Sequence, residues 1–228
     1  MAVLIIRKTT NYELYGVEVQ ARAKEGLVAA DTVGLLSSSH KEHYATLEKL
    51  KEIISGHGHE VTEIRREEKN LDLSKYEHIF TVGGDGTLLA SSHMLPESRV
   101  VLGVRSSASS VGYLCGASFD TLEDDMKHFF DGKSESLVAQ RLVADVKYVS
   151  RKETFKSVPI LNDFLYSNIS PAATTRYAIT HGGKKEAHRS SGIWIATAMG
   201  STAGIYTAGG QKVPQEDTGF QFRVRELY

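Results

Sequence analysis

Short apolar runs in the first half of the chain predict β-strands. They lie at residues 3–6, 78–82 and 99–104, and a weaker strand is predicted near residues 60–64. Stretches in which apolar residues recur at every third or fourth position separate these runs and predict helices. Strands that alternate with helices in this way are typical of a parallel sheet with helices on its faces. We therefore expect a Rossmann-like α/β domain over residues 1–104.

Two kinds of signal bound the predicted helices. Ser39 and Glu42 match a capping box, so we expect a helix to begin there and to end near Gly56. The segment at residues 16–30 carries mixed charges and predicts loop or weak helix. Further helices are predicted at residues 88–95 and 119–130.

The spacing of apolar residues changes from helical to alternating in the second half of the chain. Alternation of apolar and polar residues is typical of a strand with one buried face. The apolar residues that alternate in this way are Leu142, Ala144, Val146 and Tyr148. Further extended runs lie at residues 158–167, 175–180, 193–197 and 220–228. The expected fold class is therefore an α/β domain with a parallel sheet, followed by a mostly β domain over residues 105–228.

The composition is that of an ordinary globular protein. Hydrophobic residues make up 41% and charged residues 24% of the 228 residues, unlike disordered or fibrous chains. A formal net charge of −1 provides no basic field, so we expect no nucleic-acid partner. No apolar stretch approaches the ~20 residues of a membrane span, and the single cysteine, Cys115, favours a reducing compartment. A cytoplasmic protein without a membrane partner is expected.

A glycine motif, Gly83-Gly84-Asp85-Gly86-Thr87, lies between a predicted strand and a predicted helix. Glycines let a ligand approach the backbone closely, and amides at the start of a helix favour phosphate. An Asp-Gly pair is also common in ordinary tight turns, so a structural role alone would explain the motif. An acid in a phosphate loop can hold a metal, accept a hydroxyl proton or bind a sugar hydroxyl. Each of these points to phosphoryl transfer to or from a hydroxyl.

This motif, followed by two leucines, resembles the signature of the NAD kinases, which transfer a phosphate from ATP to the 2′-hydroxyl of the adenosine ribose of NAD. Diacylglycerol and sphingosine kinases share the same core signature. Two later segments favour the NAD kinases. Asn162-Asp163 is similar to their Asn-Glu pair, and residues 192–203 resemble their second glycine-rich loop.

The resemblance implies a role for each matched residue. Asp85 is implied as the catalytic base that orients and deprotonates the ribose hydroxyl, with Mg²⁺ or another divalent cation neutralising charge between the phosphates. Residues implied to bind the nucleotides NAD and ATP are Gly83, Gly84, Gly86, Thr87, Tyr113, Asn162, Asp163, Ser201, Thr202 and Ala203. No protein ligand to the metal is assigned. By their chemistry alone, Asn162 and Asp163 also fit an Asx turn, and Ser201 and Thr202 a helix cap.

The chain departs from the family pattern in the second loop and near its end. Ser191, Met199 and Gly204 stand where the family has an acid, a small hydroxyl residue and an aromatic. Residues 104–115 look more like the divergent branch that includes mitochondrial NAD kinases. Family members continue well past the second loop, so the β domain is expected to be incomplete at its C-terminus. An uncovered sheet edge requires a partner, and a homodimer or homotetramer is expected.

Three functions stay open at this point. The first is an NAD kinase, for which the motifs leave both NAD and NADH, and both ATP and polyphosphate, as substrates. The second is a lipid kinase of the diacylglycerol type that shares the glycine motif. The third is a non-catalytic NAD-binding relic, in which the altered second loop has abolished phosphate transfer.

Overall fold

The structure, a computed structural model, describes residues 2–68, 71–96, 99–150, 152–170 and 172–228. The chain divides into two compact units, Met1–Ser136 and Leu137–Tyr228. Throughout the described ranges, every helix is too short or too polar to cross a membrane. The expected fold class is confirmed, because the first unit is α/β with a parallel sheet and the second contains antiparallel sheets.

Among its described residues, the first unit contains a parallel sheet of five strands in the order β2-β1-β3-β4-β5. The strands are β1 (Ala2–Arg7), β2 (Glu60–Arg65), β3 (His78–Gly83), β4 (Val101–Arg105) and β5 (Ala117–Ser118). The helices are α1 (Asn11–Lys24), α2 (Ala30–Gly56), α3 (Asp85–Ser92) and α4 (Leu122–Phe130), with a 3-10 turn at Leu73–Lys75. The order reverses between β1 and β3, and ligands of open α/β sheets bind outside the carboxyl ends of strands at such a point.

The sheet is buried on both faces, as expected for parallel strands. Successive residues of β1 and β3 point to opposite faces, so each apolar run supplies two cores. One core contains Val3, Ile5, Phe80, Val82 and Val104 with Leu47, Leu50 and Ile54 of α2 and Leu122 and Met126 of α4. The other contains Leu4, Ile6, Ile64, Leu73, Tyr76 and Ile79. The four strands predicted for residues 1–104 are therefore confirmed.

The predicted capping box at Ser39 and Glu42 is wrong. Helix α2 begins at Ala30, so both residues lie in its interior. A capping box does exist at Thr10 and Glu13, where it begins α1 in a segment predicted in part as loop. Thr10 Oγ1 accepts the Glu13 amide at 3.2 Å, and the Glu13 carboxylate accepts the Thr10 amide at 2.7 Å.

The first unit extends beyond residue 104, where the sequence predicted the boundary between the domains. Strand β5 pairs with β4, and Leu122 and Met126 of α4 are fully buried against the sheet. The compact division therefore falls after Ser136. The family resemblance implies that residues 1–104 bind the nucleotide phosphates through the glycine motif and that residues 105–228 bind the dinucleotide, and this assignment stays a prediction.

The second unit is built from antiparallel strands. They are β6 (Asp145–Lys147), β7 (Thr154–Lys156), β8 (Asp163–Tyr166), β9 (Thr175–His181), β10 (Lys184–Ser190), β11 (Gly192–Thr197) and β12 (Phe220–Arg225), with a short helix α5 (Gly204–Thr207). Strands β6 and β7 pair, β9 and β10 pair, and β11 lies between β12 and β8. Gly182 and Gly183 have φ of 56° and 77°, which suits the two-residue turn of the β9–β10 hairpin.

A buried ion-pair network connects β1, β2, α1 and α2. The Arg7 side chain, 8% exposed, pairs with Glu63 at 2.7 Å and with Glu13 at 3.3 Å. The Tyr44 hydroxyl donates to Glu13 at 2.9 Å. Burial of the Glu13 carboxyl opposes ionisation, but the Thr10 amide, the Tyr44 hydroxyl and the Arg7 charge together lower its pKa to about 2.

Glu13 should make stability depend on pH in the acid range. Its folded pKa lies below its ordinary value of 4.5, so the carboxylate stabilises the fold above that pH and loses this effect as the pH falls toward 2. We expect the contribution to be on the order of 2 kcal/mol at neutral pH. Urea unfolding at about pH 5 and about pH 3 should show a smaller acid loss for Glu13→Gln than for wild type.

Glu18→Gln is the matched control, because Glu18 lies on the same helix in an ion pair whose two side chains are 57% exposed. Such exposed pairs contribute little to stability. An equal acid loss in Glu13→Gln and in wild type would contradict the role given to the Glu13 carboxylate.

Candidate functional site

The glycine motif lies where β3 passes into α3. Gly83 ends β3, Gly84 caps α3 in an extended conformation, and Asp85 is the first helical residue. The Gly84 carbonyl accepts the Thr87 amide at 2.9 Å, which closes the first turn. The amides of Gly84, Asp85 and Gly86 donate no hydrogen bond within the described residues. The carboxyl end of the sheet therefore presents free amides at the positive end of a helix, a favourable place for an anion.

Close packing requires glycine at two positions of this loop. A Cβ on Gly83 would collide with the Thr87 side chain, and a Cβ on Gly84 would collide with the Ser110 hydroxyl. Gly86 faces open space. The Thr87 side chain is buried at 2% exposure, so it packs under the loop while the neighbouring amides stay accessible.

The Asp85 carboxylate holds the segment that follows β4. Its two oxygens accept the backbone amides of Tyr113 at 3.1 Å and of Leu114 at 2.7 Å. These bonds orient the carboxylate beside the glycine loop and leave each oxygen with further acceptor capacity. The Tyr113 ring is 54% exposed, so the structure brings its backbone to Asp85 and leaves its ring free for contact with a ligand.

A serine-rich segment at residues 106–110 packs beside the glycine loop. The Ser106 amide donates to the Gly83 carbonyl at 2.8 Å. From α2, the Glu42 carboxylate accepts the Ser107 hydroxyl at 2.7 Å and the Ala108 amide at 3.0 Å, and these bonds lower the Glu42 pKa. Glu42 thus anchors a loop 65 residues away in sequence, and capping rules gave no sign of this contact.

Lys8 is a cation at the same edge of the sheet that sequence reasoning missed. It follows β1, and its amide donates to the Val82 carbonyl at 3.1 Å. Burial lowers the pKa of its ammonium, Arg66 lowers it further, and Glu42 opposes this. Within the described residues no carboxylate forms an ion pair with Lys8. Its position directly after the first buried strand was the signal that could have identified it.

In the second unit, Asn162 and Asp163 lie at the start of β8. The Asn162 carbonyl accepts the Thr197 amide at 2.9 Å, and the Thr197 hydroxyl donates to the Leu161 carbonyl at 2.5 Å. The Asn162 side-chain Oδ1 is buried and accepts no hydrogen bond from the described residues, so this side chain does not form an Asx turn. Burial raises the Asp163 pKa, and a bond from the Gly204 backbone opposes this.

The second loop packs directly against Asn162. It forms a 3-10 turn at Met199–Thr202 that leads into α5. A Cβ on Gly200 would lie 2.5 Å from the Asn162 carbonyl carbon, so only glycine allows this approach. Ser201 is buried, and its hydroxyl accepts the Val213 amide at 3.2 Å. Neither Ser201 nor Thr202 caps a helix through its side chain.

The departure from the family pattern at Gly204 has a packing explanation. A Cβ on Gly204 would lie 3.0 Å from the Trp194 ring, so Trp194 occupies the space that a larger side chain would need. Thr202 and Ala203, immediately before it, are half-buried. The structure therefore brings Asn162, Asp163 and the second loop together within the second unit, as it brings the glycine motif and Tyr113 together within the first.

The groups of the glycine loop suit a divalent cation that is also bound by the phosphates of a substrate. In the described part of the chain, no cluster of three or more His, Cys, Asp or Glu side chains could hold a metal ion. Asp85 is a carboxylate beside free backbone amides. Mg²⁺ is commonly bound by one or two carboxylates together with substrate phosphates, so Asp85 suits that arrangement better than an all-protein cage.

Comparison with known proteins identifies the family. Residues 3–134 match the family described as ATP-NAD kinase N-terminal domain. The chain belongs to the NAD kinase family. This confirms the resemblance inferred from the glycine motif and the two later segments.

Its relatives include plant and bacterial kinases. A probable NADH kinase of Oryza sativa subsp. japonica is 28% identical over 208 residues, covering 81% of this chain and 62% of the relative. The NADH kinase of Arabidopsis thaliana is 32% identical over 213 residues, covering 84% and 66%. The NAD kinase of Chlorobaculum tepidum is 34% identical over 147 residues, covering 63% and 48%. The chain thus spans less than two thirds of the length of these relatives.

Solved NAD kinase structures share the fold. An NAD kinase from Archaeoglobus fulgidus in complex with ATP has a TM-score of 0.70 at 18% identity, covering all of this chain (100%) and 73% of that chain. Yeast NADH kinase complexed with NADH has a TM-score of 0.71 at 18% identity, covering 100% and 66%. At this identity the likeness is one of fold.

Gly84→Ala should disturb the loop through a single neighbour. The added methyl group meets the Ser110 side chain, and overpacking of this kind costs about 1–3 kcal/mol. We expect a lower Tm for Gly84→Ala and recovery in the double variant Gly84→Ala/Ser110→Gly, both measured by circular dichroism. Gly86→Ala, where the Cβ meets open space, is the control and should leave the Tm nearly unchanged. A Gly84→Ala variant with wild-type Tm would contradict this packing.

Proposed function

We propose that the chain is an NAD kinase that transfers the terminal phosphate of ATP to the 2′-hydroxyl of the adenosine ribose of NAD. The observation that carries the proposal is an oriented carboxylate, Asp85, beside the free amides of Gly84 and Gly86 at the carboxyl end of a parallel sheet. Membership of the NAD kinase family supports the same reaction. The relatives' names include both NAD and NADH kinases, so both dinucleotides should be tested as acceptors.

The glycine loop is proposed to hold the phosphates. Amides at the start of α3 and the ammonium of Lys8 supply donors and positive charge where phosphoryl transfer concentrates negative charge. Mg²⁺ or another divalent cation, bound through Asp85 and the phosphates, would neutralise charge on the phosphate oxygens. Thr87 contributes by packing under Gly83, which keeps the loop in shape.

Asp85 is proposed as the general base. Its carboxylate, held by the amides of Tyr113 and Leu114, would accept a hydrogen bond from the ribose hydroxyl and then its proton. The hydroxyl oxygen forms a bond to the terminal phosphorus of ATP as the bond from that phosphorus to the ADP oxygen breaks. The products are ADP, NADP and a proton on Asp85.

The second unit is proposed to bind NAD. The buried Asn162 Oδ1 is an acceptor without a protein partner in the described residues, and burial of such a group is unfavourable unless a ligand donates to it. A ribose hydroxyl or the exocyclic amine of adenine would serve. Asp163 and the backbone at Thr202 and Ala203 complete the proposed site, and Ser201 supports the loop through Val213.

Asp85→Asn should abolish most of the activity and keep the fold. Loss of a general base lowers turnover by about 10²–10⁴-fold, while the Asn side chain still offers a carbonyl oxygen to one of the two amides. We expect NADP formation from NAD, ATP and Mg²⁺ to fall accordingly in an assay coupled to an NADP-specific dehydrogenase. NAD affinity, measured by calorimetry, should stay within about threefold of wild type.

Asp120→Asn is the control for this variant, because Asp120 is an exposed carboxylate in the same unit. Near-normal turnover in Asp85→Asn would remove Asp85 from the role of base. NAD binding by the wild-type chain without product from any donor would contradict kinase activity of this chain and favour the non-catalytic alternative.

We also propose a cytoplasmic homodimer or homotetramer. Burial raises the pKa of the Cys115 thiol to about 11, which suits a thiol that stays reduced. Strand β12 lies at one edge of its sheet, and Phe220 and Phe222 on it are 56% and 39% exposed. An apolar edge strand of this kind favours association with another chain.

Size-exclusion chromatography with light scattering should show an oligomer for wild type and a smaller species for Phe222→Lys. A charge at this edge opposes strand pairing and apolar contact. Lys185→Ala, at an exposed position of β10, is the control and should leave the oligomer unchanged. A monomeric wild-type chain would contradict the proposed association.

A further inference from the structure

A buried histidine lies behind the glycine loop without contacting it directly. His43 of α2 is 0% exposed, and its Nδ1 lies 2.8 Å from the Ser106 hydroxyl. Its Nε2 is buried and has no hydrogen-bond partner among the described residues. Burial and the nearby charges of Lys8 and Arg7 lower the pKa of His43 to about 4, so the imidazole is neutral at physiological pH.

One tautomer of His43 satisfies both neighbours of the Ser106 hydroxyl. The Ser106 hydroxyl lies 3.3 Å from the Gly83 carbonyl and donates to it. A hydroxyl has one proton, so a Ser106 that donates to Gly83 must accept from His43. In this tautomer His43 Nδ1 carries the proton, Nε2 is a bare acceptor, and a directed chain runs from His43 through Ser106 to the Gly83 carbonyl.

This chain fixes the direction of the next amide. The Gly83 carbonyl and the Gly84 amide belong to one planar trans peptide, in which they point in opposite directions. Ser106 holds the carbonyl toward β4 through both its amide and its hydroxyl. The Gly84 amide is thereby turned toward the other neighbour of β3, the end of β1 that carries Lys8.

We propose that His43 is a positioning residue that acts through Ser106 to aim the Gly84 amide at the phosphate donor. The proposal rests on the proposed function, in which this amide contacts the phosphates. A purely packing role would be met better by an apolar side chain, since an unpaired Nε2 in the core is unfavourable.

Kinetics of two substitutions at His43 separate positioning from stability. His43→Asn keeps an N–H donor near the place of Nδ1, whereas His43→Leu fills similar space without a donor. Looser orientation of the Gly84 amide should raise the KM for ATP several-fold in His43→Leu, leave the KM for NAD unchanged, and be largely reversed in His43→Asn. Simple destabilisation would lower the active fraction, and with it kcat, without changing either KM.

Two further variants test the chain of contacts. Ser106→Ala should reproduce the effect of His43→Leu, and the double variant should be no worse than either single one, because both break the same relay. His40→Leu, the same substitution one turn earlier on α2, is the control and should leave both KM values unchanged. Additive effects of His43→Leu and Ser106→Ala, or an equal KM change in His43→Asn, would overturn the proposal.

A measurement without catalysis keeps this proposal distinct from the proposed function. Nitrogen-15 NMR of the imidazole should show the proton of His43 on Nδ1, and the Gly84 amide resonance should shift in His43→Leu and in Ser106→Ala but not in His40→Leu. A proton on Nε2, or an unmoved Gly84 resonance, would overturn the relay. If the wild-type chain makes no NADP, the proposed function fails, and the NMR result still decides whether the relay exists.

Discussion

Burial of the parallel sheet on both faces is the constraint on which the first unit depends. The apolar side chains of β1 and β3 pack into two cores. Groups that could bind a ligand therefore lie at the carboxyl ends of the strands. There the chain places free amides, an oriented carboxylate and a lysine within a few residues of the last strand positions. Backbone groups carry most of the contacts, because side chains of the strands are already committed to packing.

The second unit is held together differently. Its strands are short and much of their surface is exposed, so its local shape depends on close backbone approach instead of a large core. Gly200 against Asn162 and the bonds made by Thr197 hold the start of β8 to the second loop. That contact leaves one buried side-chain oxygen, Asn162 Oδ1, unpaired within the described residues.

Sequence patterns predicted the elements that depend on local or periodic signals. The strands of the first unit, the glycine turn into α3 and the end of α2 at Gly56 follow from apolar spacing and from turn chemistry. The predicted start of α2 was wrong. Ser39 and Glu42 have the spacing of a capping box, but they lie in the interior of a helix that begins at Ala30. Strand β10 was missed because its sequence is almost entirely polar and so lacks alternation.

The contacts around the glycine loop could not be predicted, since they join residues far apart in the chain. His43 and Ser106 are 63 positions apart, and the amides that orient Asp85 come from 28 and 29 positions away. Family resemblance identified the motif residues but not the side chains that hold them. The packing of Trp194 against Gly204 has a practical result: as the one tryptophan of the sequence, it makes intrinsic fluorescence a local optical reporter of the second loop.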